Sequence, residues 1–97
     1  MRSNPLPDEY KTLKAVLDEA LLQASVGKGK ERHAVEGVPF EKQISCIIEW
    51  ELPGYASGQA AKKIFEASRL PTDRAIHELL GAINYLVIAI IVKKGKL

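Results

Sequence analysis

The chain has 97 residues, of which 46% are apolar, 27% are charged and 6% are aromatic. That length allows one domain, residues 1–97, because two domains would each be too short to build a core. The single cysteine excludes an internal disulfide, and one Cys with two distant His residues disfavours a zinc site. A chain this short buries only about two-thirds of the surface that its unfolded state exposes, so we expect self-association to stabilise it.

Fourteen Lys and Arg against twelve Asp and Glu give a net charge of +2. This charge is too small for a protein that coats DNA or RNA polymers, or for a polybasic membrane tether. The first residues carry no apolar run, and the longest uncharged apolar stretch, 79–92, is shorter than the roughly 20 residues that cross a membrane. We therefore expect a soluble intracellular protein with no membrane partner.

The N-terminal part of the sequence predicts an extended arm, one helix and a loop. Residues 1–7 contain two prolines, each of which biases the preceding residue away from helix. From about Asp8 to Ala24, apolar residues recur every three or four positions, which indicates an amphipathic helix. Gly27 is placed to end this helix, and no period is sustained from there to Pro39, which predicts a loop.

The remainder of the chain predicts two or three further helices. The segment from Pro39 to Leu52 is ambiguous, although Pro39 is suited to the first position of a helix. A helix from about Tyr55 to Arg69 follows, rich in small residues that permit close approach of a neighbouring backbone. Pro71 then begins the last helix.

The last helix is apolar around nearly its whole circumference. Its β-branched run 86–92 is also compatible with a strand, but unbroken three- and four-residue spacing from Ile76 favours a helix. A helix that is apolar on every side must be covered on more than one side, and this chain is too small to do so. The sequence predicts an all-α bundle of three to four helices that forms a compact homo-oligomer.

The strongest chemical feature is the basic segment 27–33, Gly-Lys-Gly-Lys-Glu-Arg-His. Its glycines let backbone N–H groups approach an anion, and its Lys and Arg side chains are charge-assisted donors, so it is a candidate phosphate site. It lacks the spacing of a P-loop, and its glycines follow a helix rather than precede one. The alternative is a solvated basic turn at the end of that helix.

A polar stripe on the last helix consists of His77, Gly81 and Asn84. His77 is compatible with catalysis, but hydrogen bonds at a helix crossing are the favoured interpretation of this stripe. Gly81 is expected to let another helix approach closely. Arg69, at the end of the preceding helix, is placed to reach a ligand or a partner subunit.

The sequence contains no motif or residue spacing that indicates an active site. All-helical nucleoside triphosphate pyrophosphohydrolases bind Mg²⁺ through Glu-x-x-Glu followed by Glu-x-x-Asp, and neither motif occurs here, although Glu49 and Glu51 flank Trp50. No nucleophile is spaced from a suitable base, and Cys46 is expected to be a buried small hydrophobe. We expect a binding protein with no catalytic residue, no metal and no cofactor.

Four segments of the sequence are distinctive when taken together. They are Gly-Lys-Gly-Lys-Glu-Arg-His at 27–33, Pro-Phe-Glu-x-Gln at 39–43, Gly-Gln-Ala-x-Lys-Lys-Ile-x-Glu-x-x-Arg-Leu at 58–70 and Glu-Leu-Leu-Gly-Ala-Ile-Asn-Tyr at 78–85. Together they resemble a family of small phage proteins, the type-2 anti-CBASS proteins. The resemblance covers about residues 27–91. These proteins are sponges for the cyclic oligonucleotides that signal bacterial antiphage defence.

The resemblance implies an all-helical hexamer in the cytoplasm of the infected bacterial host. Family members bind cyclic dinucleotides such as 3′,3′-cyclic GMP-AMP between paired subunits. They bind cyclic trinucleotides such as cyclic tri-AMP in separate pockets where three subunits meet. Because they hold the messenger intact, the host effector is never activated.

By the same resemblance, Lys28 contacts the cyclic dinucleotide together with Arg69 of the neighbouring subunit. The family stacks an aromatic residue of the first helix on a base, and Tyr10 is the aromatic residue of that helix here. If Tyr10 lies a turn away from the pocket, Leu13 or Lys14 lines it instead. The residues that would face the trinucleotide phosphates are Lys30, Arg32 and His33.

Two other functions stay open. Phage proteins with related Gly-Lys-Gly segments include the N-terminal part of a dATP/dGTP diphosphohydrolase, which would make this chain enzymatic. A structural or adaptor bundle whose basic loop binds a protein partner is the other alternative.

Overall fold

The computed structural model describes residues 6–26 and 37–95, and within these ranges the chain is helical and has no strand. The described part of the chain contains four α-helices and two short 3₁₀ turns, in the order 3₁₀ turn Asp8–Tyr10, α1 (Lys11–Val26), 3₁₀ turn Phe40–Lys42, α2 (Ile44–Glu51), α3 (Tyr55–Ala67) and α4 (Thr72–Lys93). The predicted all-α fold class is confirmed.

The ambiguous segment between Pro39 and Leu52 forms two helical pieces. Pro39 precedes the 3₁₀ turn, Gln43 adopts an extended conformation, and α2 then begins at Ile44. The Gln43 side chain donates a hydrogen bond from Nε2 to the carbonyl of Val38 at 3.1 Å, which fixes this bend.

The strand alternative for 86–92 is wrong, because that run lies inside α4. The predicted helix end at Gly27 lies outside the described residues.

A buried carboxylate fixes the corner between α2 and α3. Glu49, which is only 5% exposed, accepts hydrogen bonds from the backbone N–H groups of Gly54 at 3.1 Å and Ala56 at 2.7 Å. These donors belong to the first turn of α3, where N–H groups have no partner within the helix and a negative charge is favoured. Gly54 has φ +100°, a conformation that favours glycine, so the chain turns sharply there.

Helix α4 is the centre of the molecule and contacts the other three helices, most extensively α3. Buried alanines on one face of α3 allow the two helices to pack closely. The buried apolar residues of the described chain are almost all small: Ala20, Cys46, Ala56, Ala60, Ala67, Ala82 and Ile88. The core of one chain is therefore thin.

Large apolar side chains lie mostly on the surface. Along α1 only Ala20 is buried, while Leu13, Leu17 and Leu21 are about half exposed or more.

Among the described residues, one helix is long and apolar enough to cross a membrane, by length and composition alone. This is α4, which has 22 residues and a mean hydropathy of 2.0 over its most apolar stretch, of which 17% is buried. A helix that other protein surfaces cover on several sides has the same length and the same apolar composition. The part of α4 that faces α1, α2 and α3 already carries protein contacts.

Loss of the Glu49 carboxylate leaves the buried N–H group of Ala56 and the partly buried N–H group of Gly54 without this partner. We predict that Glu49→Ala lowers the free energy of unfolding by about 1–3 kcal/mol. The exposed Glu51 is the matched control, and Glu51→Ala should change the free energy of unfolding by less than about 0.5 kcal/mol. Urea unfolding at one fixed protein concentration measures both values, and equal effects of the two substitutions would contradict the capping role.

Candidate functional site

A cavity of about 560 Å³ opens inside the single chain, between the end of α1, the turn at Phe40, α2, α3 and α4. Its apolar and aromatic wall includes Phe40, Tyr85 and Ile88. The polar and charged side chains that line it are Gln23, Gln43, Ser45, Lys63, Asp73, Arg74, His77, Glu78 and Asn84. All four described helices contribute side chains to this cavity, α1 through its C-terminal part.

An ion pair joins α3 to α4 at one side of the cavity. Lys63 Nζ lies 3.2 Å from Glu78 Oε2, and both side chains are mostly buried, at 20% and 25% exposure. The same ammonium group lies 5.9 Å from the centroid of the Tyr85 ring, within the range of a cation–π contact. Two opposite charges held in this way fix the register of the two helices.

Gly81 provides the space in which side chains of α1 and α3 meet on α4. A Cβ atom at this position would lie 3.1 Å from Lys63 Cδ and 3.4 Å from Gln23 Nε2. The sequence predicts that Gly81 lets another helix approach closely. In the structure, the side chains of Lys63 and Gln23 occupy the space that a Cβ atom would need. The glycine thus lets the Lys63 stem lie across the α4 backbone on its way to Glu78.

Asn84 links α1 to α4 by a hydrogen bond. Its Nδ2 donates to the carbonyl oxygen of Ala20 at 2.9 Å, which confirms for Asn84 the predicted structural role at a helix crossing. His77 does not take part in this bond; it is exposed and lines the cavity. The Ala20 contact and the position of Gln23 beside Gly81 show that α1 runs antiparallel to α4.

Cys46 lies in the wall of the cavity and is buried, as predicted for a small hydrophobe. Its thiol donates to the carbonyl of Phe40, with Sγ 3.3 Å from the oxygen. Burial raises the pKa of the Cys46 thiol above its ordinary value, and the negative charge of Glu41 raises it further. Since the thiolate is the nucleophile, Cys46 is a packing residue in this state.

Two of the six predicted ligand residues lie in the described chain. Tyr10 ends the first 3₁₀ turn and is 55% exposed, and Arg69 is exposed just after α3. The Arg69 guanidinium stacks on the Phe65 ring, 5.0 Å from its centroid. The other four, Lys28, Lys30, Arg32 and His33, lie outside the described residues.

Tyr10 and Arg69 lie at opposite ends of the molecule. Tyr10 precedes α1, which is antiparallel to α4, so it lies towards the C-terminal end of α4. Arg69 lies just before α4 begins at Thr72. With a rise of 1.5 Å per residue from the Ala20–Asn84 contact, the two positions are separated by at least about 20 Å. One chain therefore does not bring them into one small-molecule site.

The described residues contain no group of three or more His, Cys, Asp or Glu side chains that could hold a metal ion. Comparison with protein-family models, curated proteins and solved structures finds no match to this chain. The family resemblance therefore rests on the four sequence segments themselves.

The ion pair between Lys63 and Glu78 is tested by comparing adjacent lysines. We predict that Lys63→Met lowers the free energy of unfolding by about 1–3 kcal/mol, because it leaves the mostly buried Glu78 carboxylate uncompensated. Lys62, by contrast, pairs with Glu66 at 3.8 Å in an exposed position. Lys62→Met should therefore change stability by less than about 0.5 kcal/mol.

A double-mutant cycle with Glu78→Gln completes the measurement by urea unfolding. We expect the Lys63→Met substitution to cost less in the Glu78→Gln background, because the uncompensated charge is then absent. Additive effects of the two substitutions would mean that the ion pair does not contribute to the packing of α3 on α4.

Proposed function

We propose that this protein is a sponge that binds cyclic oligonucleotide messengers and holds them intact, as a homohexamer in the cytoplasm of an infected bacterial host. Cyclic dinucleotides occupy sites between subunits that contain Lys28, Arg69 of a neighbouring subunit and Tyr10. Cyclic trinucleotides contact Lys30, Arg32 and His33. By sequestering these ligands, the protein prevents activation of the defence effector.

The observation that carries this proposal is the combination of the four sequence segments at 27–33, 39–43, 58–70 and 78–85. The separation of Tyr10 and Arg69 adds where a pocket that they share would form. Both are exposed, and the family resemblance assigns both to one pocket, yet they lie at opposite ends of a single chain. A pocket that uses both residues must therefore form between copies.

The exposed apolar surface supports assembly into several copies. A typical protein interface buries about 800 Å² on each partner, and exposed large apolar side chains lie on each of the four described helices. Two different interfaces per subunit are what a closed ring or a layered hexamer requires. The half-exposed leucines of α1 are suited to one of them.

The chemistry of the ligand suits a symmetric basic assembly. A cyclic di- or trinucleotide carries two or three phosphates in a compact ring, and symmetry supplies one set of cations for each phosphate. Each charge-assisted hydrogen bond contributes about 1.5–3 kcal/mol, and each stacked base about 1–3 kcal/mol. Several such contacts in a preformed pocket are sufficient for tight binding without cleavage.

Calorimetric titration with 3′,3′-cyclic GMP-AMP and with cyclic tri-AMP tests this function. We expect saturable binding of both, and chromatography after proteolysis of the complex should recover each ligand intact. Recovery of linear products would instead make the protein a nuclease. Magnesium-dependent hydrolysis of dATP or dGTP would favour the diphosphohydrolase alternative, and no binding of any nucleotide would favour an adaptor bundle.

Single substitutions distinguish the two ligand sites. We predict that Arg69→Ala or Lys28→Ala weakens dinucleotide binding about 10- to 150-fold, the equivalent of one charge-assisted bond, and spares trinucleotide binding. Arg32→Ala should have the reverse effect. Lys62→Ala removes a cation from the exposed face of α3 and is the matched control, with both affinities unchanged. Equal loss of both activities in a folded Arg69→Ala variant would contradict the two-site arrangement.

A further inference from the structure

We propose that the outer face of α4 binds a second copy of this chain, with α4 of one copy packed antiparallel against α4 of the other. Five apolar residues form this face, which we call the α4 seam: Ile76, Leu79, Ile83, Leu86 and Ile90. No ligand and no residue of the proposed ligand sites takes part in this contact, so it does not rest on the sponge function.

The residues of the α4 seam repeat with the period of a coiled coil. They follow one another at intervals of three, four, three and four residues, which places Ile at the a positions and Leu at the d positions of a heptad written a to g. A strict 3.5-residue period gives a narrow seam that fits a second helix of the same period by knobs-into-holes packing. A helix that packs only on the core of its own chain shows a wider stripe. The spacing therefore indicates a partner helix with the same period.

The α4 seam is turned away from the rest of its own chain. Ile83 is partly buried, and the other four members are between 41% and 53% exposed. The buried residues Gly81 and Ile88 lie at the f positions of the same heptad, on the opposite side of α4. A partner helix can therefore reach the α4 seam from the side that faces away from α1, α2 and α3.

The positions beside the α4 seam are uncharged. The g positions carry alanine and the e positions carry Leu or Val, in the set Ala75, Leu80, Ala82, Val87 and Ala89. Covering a charged side chain would cost desolvation energy, and this surface avoids that cost. Alanine at each g position also lets two helix axes approach closely, because interaxial distance depends on the side chains at the contact.

The charges at the two ends of α4 favour the antiparallel direction. Asp73 lies in the first turn of α4, and Lys93 and Lys94 lie at its C-terminal end. In a parallel pair, Lys93 at the next d position would face Lys93 of the other copy, and like charges disfavour such a contact. Antiparallel packing separates these lysines and brings Lys94 of one copy to the end where Asp73 of the other lies. Both residues are exposed, and neither forms an ion pair within the described part of one chain.

In the antiparallel direction the α4 seam is complementary to itself. Leu79 faces Ile90 of the other copy, Ile83 faces Leu86 of the other copy, and two-fold symmetry repeats both layers. Every layer then combines one Ile with one Leu, so the same surface serves on both sides of the contact. This self-complementarity, together with the end charges, is why the partner is a second copy of this chain.

Disulfide trapping tests the contact and its direction. Leu79→Cys/Ile90→Cys is made in a Cys46→Ser chain, so that the introduced cysteines are the only ones. The two positions lie about 16 Å apart along α4, too far for a disulfide within one chain. We expect mild oxidation to link two copies of this double variant, whereas Leu79→Cys alone should not be linked.

Ile44→Cys, at a similarly exposed position of α2, is the matched control for random collisions. Linkage of Leu79→Cys alone would overturn the antiparallel arrangement. Linkage of the double variant no greater than that of Ile44→Cys would overturn the α4 seam as a contact surface.

Leu86→Ala, added to the double variant, tests the energetic role of the α4 seam. It shortens one side chain in each copy, so symmetry doubles its effect. We expect the protein concentration needed for half-maximal linkage to rise about tenfold or more. Ile47→Ala, similarly exposed on α2, is the matched control and should leave this concentration unchanged. Circular dichroism should show both variants folded, and unchanged linkage in Leu86→Ala would overturn the assignment.

Failure of the α4 contact and failure of the sponge function give different results. Chains that are linked through the α4 seam but bind neither 3′,3′-cyclic GMP-AMP nor cyclic tri-AMP would support the contact and contradict the sponge function. Chains that bind both ligands while the double variant stays unlinked would contradict the α4 contact alone.

Discussion

Helix α4 is apolar around nearly its whole circumference, and three helices of the same chain cover only part of it. Its buried residues are Gly81, Ala82 and Ile88, while Ile76, Leu86 and Ile90 remain about half exposed. The alanines of α3 allow close packing but bury little apolar area, so the core of one chain supplies limited stabilisation. Further protein surface is a direct way to cover what is left, and the proposed homo-oligomer would supply it.

Polar contacts orient the helices that this thin core does not fix by itself. The Asn84–Ala20 hydrogen bond holds α1 antiparallel to α4, and the Lys63–Glu78 pair sets the register of α3 against α4. Glu49 holds the start of α3. Small apolar side chains would allow several relative positions of two helices. Because hydrogen bonds and ion pairs are directional, they select one of these positions. The same contacts place a polar cavity next to α1, α3 and α4.

Much of the fold could be predicted from the sequence, because helix periodicity and proline positions are local signals. The last helix and its incomplete coverage followed from its apolar spacing alone. The split between Phe40–Lys42 and α2 was not predicted, since it depends on an extended Gln43. The cavity could not be predicted either, because it brings together Gln23, Lys63 and Glu78 from three helices. Of the predicted ligand residues, the structure describes Tyr10 and Arg69, and their separation within one chain could not be predicted because it depends on how α1 packs against α4.

The most direct test of this account is the mass of the protein in solution, measured by sedimentation velocity at micromolar concentration. The account predicts a species several times heavier than the 10.7 kDa chain, and six chains for the proposed hexamer. Leu17→Glu, which places a charge on the exposed apolar surface of α1, should reduce this mass, whereas Lys14→Glu on the same helix should not. A wild-type protein that sediments as a single 10.7 kDa chain would contradict the assembly and, with it, every site proposed between subunits.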